Sequence, residues 1–237
     1  MKVRRGTIVP TFLAAGLLAA GCGSAPSSGS PSASSSAESV AHVLPAMEAA
    51  ADSAQSVHLT GTVPVGSQTD AINMSLAVPN SVSGSITQRG DTLTLVVADG
   101  SYYVEISTGL LKYANISPPD CGNLCGKYVE IPASEASQMA GDLSIQKLFD
   151  DAFGAIPPSA RKSTVDVFEP TTYHGQPALQ ATIAGDTMIV ARGATPYVLR
   201  VYDNNGDSLV FSEWNSVPPI TPPPASDVVS PADLGGL

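Results

Sequence analysis

From Val57 to Ile106 apolar and polar residues trade places at every second position, and that alternation restricts this part of the chain to β-structure with one buried face. Val57, Leu59, Gly61 and Val63 make the first run. Ile72, Met74, Leu76 and Val78 make the second, then Val82, Gly84 and Ile86, then Leu93, Leu95 and Val97, then Tyr102, Val104 and Ile106. Val65-Gly66-Ser67, Pro79-Asn80, Arg89-Gly90-Asp91 and Asp99-Gly100 separate them as turns. Five strands in hairpin order predict an antiparallel meander. A strand over Lys127 to Ile131 follows, and then a second series: Val165 to Phe168, Ala178 to Ala184, Thr187 to Ala191, Tyr197 to Tyr202 and Ser208 to Trp214. About ten strands are more than a flat sheet carries, so strong curling is expected.

The period becomes helical in three places. Val40, Val43, Leu44, Met47 and Ala51 recur on one face of a helix in which Pro45 either marks the start or makes a kink. Pro132 to Ala140 reads as a short helix ended by Gly141, and Asp142 suits the N-cap of a second. That second helix sets Leu143, Ile145, Leu148, Phe149 and Phe153 along one side before Gly154 and Pro157-Pro158 stop it. A curled sheet with one apolar face must be covered, and these residues are the available cover. Pro218 to Pro224 cannot join a ladder and is expected to run extended over the surface.

The first 39 residues belong to a different regime. Lys2, Arg4 and Arg5 precede an apolar run from Ile8 to Ala20, and Leu17-Leu18-Ala19-Ala20-Gly21-Cys22 has the form of a bacterial lipobox. The uncharged span from Gly6 to Gly21 is shorter than the roughly 20 residues of a membrane-crossing helix. Residues 1–21 therefore read as a lipoprotein signal peptide, exported by the Sec or the Tat route. Resemblance to lipoprotein precursors implies a diacylglyceryl thioether and an acylated amine on Cys22. Residues 22–39 read as the lipidated cysteine and a flexible Ser/Ala/Gly/Pro tether spanning on the order of 20–25 Å. Residues 40–237 are the folded domain with a Pro-rich tail. The expected location is the extracytoplasmic face of the cell membrane.

Charge and motifs narrow the chemistry. The formal charge of −10, with three of the eleven bases in the leader, opposes nucleic-acid binding. No G-x-S-x-G, H-E-x-x-H or phosphate-loop motif occurs. His42, His58 and His174 each read as structural or surface residues, so no catalytic residue, metal or cofactor is expected. Asp203-Asn204-Asn205-Gly206-Asp207 starts like a calcium loop, but Ser208 and Trp214 stand where that loop needs Gly and Glu, and a hairpin turn explains it better. In an exported chain Cys121 and Cys125 suit a small disulfide staple; free or metal-binding thiols are the alternative, though no second pair or nearby His completes a zinc site.

The order of parts also carries a resemblance. The Gly126-Lys127-Tyr128-Val129 strand, the helical insert, His174-Gly175-Gln176-Pro177-Ala178, Pro196-Tyr197-Val198-Leu199-Arg200 and Phe211-Ser212 leading to Ile220 and prolines resemble the actinobacterial LppX/LprA/LprF/LprG lipoproteins from about Val40 to Leu234. Pro45, the Cys121/Cys125 pair and Tyr128 in place of a common tryptophan depart from that pattern. The resemblance implies a LolA-like α+β fold: an antiparallel half-barrel whose concave face is roofed by helices, with an apolar cavity for acyl chains. Leu59, Met74, Leu76, Leu95, Val104, Leu148, Phe149, Phe153 and Ile183 are then the candidate cavity residues. Two functions follow. The first is a membrane-anchored, non-enzymatic lipoprotein that binds a lipid or glycolipid acyl chain and presents or transfers it. The second is a cell-surface interaction or structural module with a filled core.

Overall fold

In the computed structural model, which describes residues 36–65, 68–113, 121–131 and 143–230, two meanders join edge to edge into one large, curved, unclosed sheet. The first meander is β2 (Ser56–Val65), β3 (Gln68–Ala77), β4 (Ser81–Gln88), β5 (Asp91–Ala98), β6 (Ser101–Glu105) and β7 (Tyr128–Ile131). The second is β8 (Val167–Tyr173), β9 (Gln176–Ile183), β10 (Asp186–Ala191), β11 (Val198–Tyr202) and β12 (Ser208–Ser212). Antiparallel pairing of β12 with β2 joins them, placing Phe211 opposite Leu59 and Leu209 opposite Gly61. Two-residue strands close the outer edges: β1 (Glu38–Ser39) on β8, and β13 (Val228–Val229), parallel, on β7. Among the described residues this makes a 13-stranded sheet and an α+β fold.

Hairpin chemistry explains the tight connections. Arg89-Gly90, Asp99-Gly100, His174-Gly175 and Ala184-Gly185 all have positive φ at both residues, the backbone that two-residue hairpins of right-twisted strands require. Asp203 Oδ1 accepts from the amides of Asn205 (2.8 Å) and Asp207 (3.1 Å), so the Asp-Asn-Asn-Gly-Asp stretch is a turn braced by its own carboxylate.

Four helices are described. α1 (Val40–Ser53) buries Val40, Val43, Leu44, Met47, Ala50 and Ala51. Pro45 sits within it and starts no new helix; the first two amides bond instead to the carbonyls of Asp166 and Ser163. α2 (Thr108–Tyr113), which the periodicity did not disclose, lies against β5 with Ser107 Oγ accepting from the Leu110 amide at 3.1 Å. α3 (Ile145–Gly154) has the expected apolar stripe of Ile145, Phe149 and Phe153. Its cap is Ser144, whose Oγ accepts from the Lys147 amide at 3.1 Å. Asp142, expected there, and the expected helix over Pro132 to Ala140 lie outside the described residues. Pro157-Pro158 does not merely stop α3: Pro158 opens α4 (Pro158–Arg161), where a missing first-turn amide costs nothing.

Three further differences concern the ends and the strand count. The ladder begins at Glu38, two residues inside the expected tether, because β8 offers Val167 and Phe168 as partners. Beyond the extended Pro218–Pro224 stretch the chain returns to the sheet at β13, held by Lys127 Nζ on Asp227 Oδ1 (2.6 Å) and on the Ser226 carbonyl (3.0 Å). The two edge strands raise the eleven of the meanders to thirteen, against about ten expected.

Candidate functional site

Cross-strand register builds the site. Leu59, Met74, Gly84, Leu95, Val104 and Val129 are successive partners across β2 to β7 and form one row of the buried face. Leu76, Val82, Val97 and Tyr102 form the row on one side, and Ile72, Ile86 and Leu93 the row on the other. Gly84 interrupts the first row. Its φ is +154°, and a Cβ there would lie 2.2 Å from the Asn73 carbonyl oxygen, so only glycine fits. Gly84 lines a cavity of about 210 Å³ walled by Met74, Ile86, Leu93, Leu95 and Leu143.

A second cavity of about 350 Å³ lies beside the first, with Ile86 and Leu93 lining both. Its far end is polar: Asp70, Gln88, Arg89, Asp91 and Lys112, with Gly109 of α2 close above β5. Asp91 pairs with Lys112 at 2.7 Å. Asp70 is only 6 % exposed; Gln88 Nε2 donates to its Oδ2 at 3.0 Å, and its Oδ1 is buried with no hydrogen-bond partner. The β3 alternation explains its position. Asp70 precedes Ile72, Met74 and Leu76 at the same two-residue spacing and so points to the buried face, where a carboxylate is costly unless partnered.

The expected cavity residues separate into two groups. Met74 and Leu95 line the apolar cavity. Leu59, Leu76, Val104, Phe149, Phe153 and Ile183 are buried in the packed core, and Leu148 packs against it half-buried. The region under α3 is filled with aromatic rings: the Phe149 ring lies 5.3 Å from both Phe211 and Trp214, and Tyr197 stacks on Trp214 at 4.5 Å. Phe153 also borders an acidic cleft of about 290 Å³ with Glu48, Asp52 and Asp150, where Arg161 bonds Glu48 and donates to the Phe153 carbonyl at 2.7 Å. Ile86, Leu93, Asp70, Gln88 and Arg89 were not expected at the site; the inward register of Asp70 in an apolar alternation was the signal available.

Elsewhere, Cys121 and Cys125 are joined by a disulfide before β7. Hydrogen bonding and charge from Lys127 hold the Asp227 carboxyl below its ordinary value, and burial, with Glu105 and Asp227 nearby, pushes the Tyr128 phenol up. His58 Nδ1 meets Ser75 Oγ at 2.9 Å, His42 lies exposed 3.9 Å from Glu38, and His174 occupies a turn. Among the described residues no cluster of His, Cys, Asp or Glu is arranged to hold a metal, and no helix is long and apolar enough to cross a membrane. Cys22 lies outside the described residues.

No protein-family model and no curated protein matches the chain. Among solved structures, one from the Pseudomonas aeruginosa MucA/MucB complex aligns at 15% identity with a TM-score of 0.27, over 74% of this chain. The aligned part spans 55% of that chain's own length, and a likeness so distant carries no argument about fold or function.

Proposed function

We propose that this chain is a membrane-anchored extracytoplasmic lipoprotein, held at the lipid surface through Cys22, that takes the acyl chain of a lipid into the trough along β3, β4 and β5 and presents or transfers it. The sheet then acts as a LolA-like half-barrel with helices over its concave face, in keeping with the resemblance to the LppX/LprA/LprF/LprG lipoproteins. One observation carries the reading: an apolar cavity walled by Met74, Ile86, Leu93, Leu95 and Leu143 shares Ile86 and Leu93 with a neighbouring cavity whose other walls are largely polar, the profile of an amphiphile. The larger cavity lies within the ~300–1,000 Å³ usual for small-ligand sites. Apolar burial drives the binding, at about 0.8 kcal/mol per methylene.

A second reading, an interaction or structural module, draws on the aromatic packing under α3, which leaves that half of the interior full. Native mass spectrometry of the full chain, extracted and freed of detergent, distinguishes the two. Lipid binding expects mass adducts of one or two acyl chains that exchange for added lipid. An adduct-free protein that stays so after incubation with lipid would leave the module reading standing.

A further inference from the structure

Among the described residues one large hydrophobic side chain stands open to solvent: Val165, 85 % exposed. A lone surface valine needs no explanation, so its position decides its meaning. Val165 lies in the loop from α4 to β8, and that loop is strapped to the place where the chain enters the fold. The Val40 amide donates to the Asp166 carbonyl at 2.9 Å and the Ala41 amide to the Ser163 carbonyl at 3.1 Å. In the β1–β8 ladder Ser39 pairs with Val167 and Glu38 with Phe168. Val165, two residues before Val167, is therefore within about 12 Å of Ser39.

The flanking residues suit a lipid surface. No acidic residue occurs from Ala152 to Val165 in a chain that carries 21 of them, and the stretch exposes Ala155, Pro157 and Pro158 together with Lys162. Arg161 is taken up by Glu48, whereas Lys162 makes no ion pair or hydrogen bond among the described residues. We infer that the α4–β8 loop is a second membrane contact: Val165 enters the lipid interface, Lys162 meets lipid phosphates, and the start of β8 is turned toward the bilayer. This rests on the Cys22 anchor proposed above and adds an orientation to it. The anchor makes so small a contact sufficient. A coil on the order of 20–25 Å holds the loop at an effective concentration of about millimolar, so a contact too weak to recruit a free domain is populated in a tethered one. A protein partner fits less well, because a specific interface takes roughly 20–30 residues a side.

The test uses the full lipidated chain in vesicles of phosphatidylglycerol and phosphatidylethanolamine that contain a nitroxide-labelled lipid as quencher. A fluorophore attached through Thr164→Cys, which leaves Val165 intact, reports the loop. A second, through Thr172→Cys, reports an exposed site near the other end of β8. Quenching at 164 should exceed that at 172 by roughly threefold or more, since position 172 lies about 17 Å beyond Val167 along the strand. Val165→Asp, with an unchanged Tm because the side chain is exposed, should bring the two labels to within about twofold, since a carboxylate is not taken into the interface. Lys162→Gln should lower the ratio of docked to free loop about fivefold, the weight of one lysine at an anionic surface. Equal quenching of the two labels, or an excess at 164 that survives in Val165→Asp, would overturn the contact while leaving the anchor in place. A 164 label shielded from aqueous iodide yet not quenched by lipid would overturn it in favour of a protein partner. A chain that washes off the vesicles would remove the Cys22 anchor, and the contact with it.

Discussion

Replacing Leu93 by tryptophan should close the trough near its middle, because Leu93 lines both cavities and is only half-buried, leaving open space for a larger ring. The trough runs along β3 from Met74 to Asp70, four residues at about 3.4 Å each, or roughly 14 Å. An extended chain advances about 1.1–1.2 Å per bond, so roughly a dozen methylenes fit. An indole at position 93 excludes about half of them. At about 0.8 kcal/mol per fully buried methylene, reduced because one flank of the trough is open to solvent, the loss is about 2–4 kcal/mol, a factor of roughly 30 to 1,000 in affinity. The assay is displacement of a fluorescent fatty acid from the full chain. Asn73→Trp serves as control, since Asn73 is exposed on the opposite face of β3. If Leu93→Trp folds with an unchanged Tm and binds as tightly as the unaltered chain, the trough is not where acyl chains go.

Gly84→Ala should cost about 2–3 kcal/mol or more, read as a fall in the urea midpoint, because the added Cβ meets the Asn73 carbonyl in a strained backbone region. Phe149→Ala should cost about 3–5 kcal/mol in the same assay, since the ring packs against Phe153, Phe211 and Trp214; a loss below 1 kcal/mol would contradict the packed aromatic cluster. The β13 edge should respond to acid. Lys127 depresses the folded-state carboxyl of Asp227, so its contribution is complete above the ordinary carboxylate value and is lost as pH falls through the lower folded value. Amide exchange at Val228 and Val229, corrected for its intrinsic pH dependence, should accelerate on acidification into that range, and Lys127→Met should abolish the pH step; a step unchanged in Lys127→Met would assign it to another group.

The parts of the fold legible in the sequence are those where one period persists. The alternation from Val57 to Ile106 places β2 through β6 with the buried face on the right residues, and the Ile145, Phe149, Phe153 spacing places α3. Elements without a period stayed hidden. Glu38–Ser39 and Val228–Val229 are edge ladders of two residues, set by what β8 and β7 leave unpaired, and α2 has too few turns to show a face. Periodicity also names a face without telling whether the space above it is filled. Phe149 and Met74 are equally regular members of their elements, yet one is wedged among aromatic rings and the other borders a hollow that Gly84, its partner in the row, also lines. Asp70 was present as a polar residue at an inward position, a signal that a count of apolar matches passes over.

Photo-crosslinking decides most directly whether the trough holds an acyl chain. A fatty acid carrying a diazirine near its methyl end, bound to the full chain, irradiated and mapped by peptide mass spectrometry, should label Met74, Leu95 and Leu143, and excess unlabelled fatty acid should suppress that labelling. Moving the diazirine toward the carboxyl end should shift the label to Ile86 and Leu93. Labelling that is non-saturable, or concentrated on residues outside β3, β4, β5 and Leu143, would contradict the account.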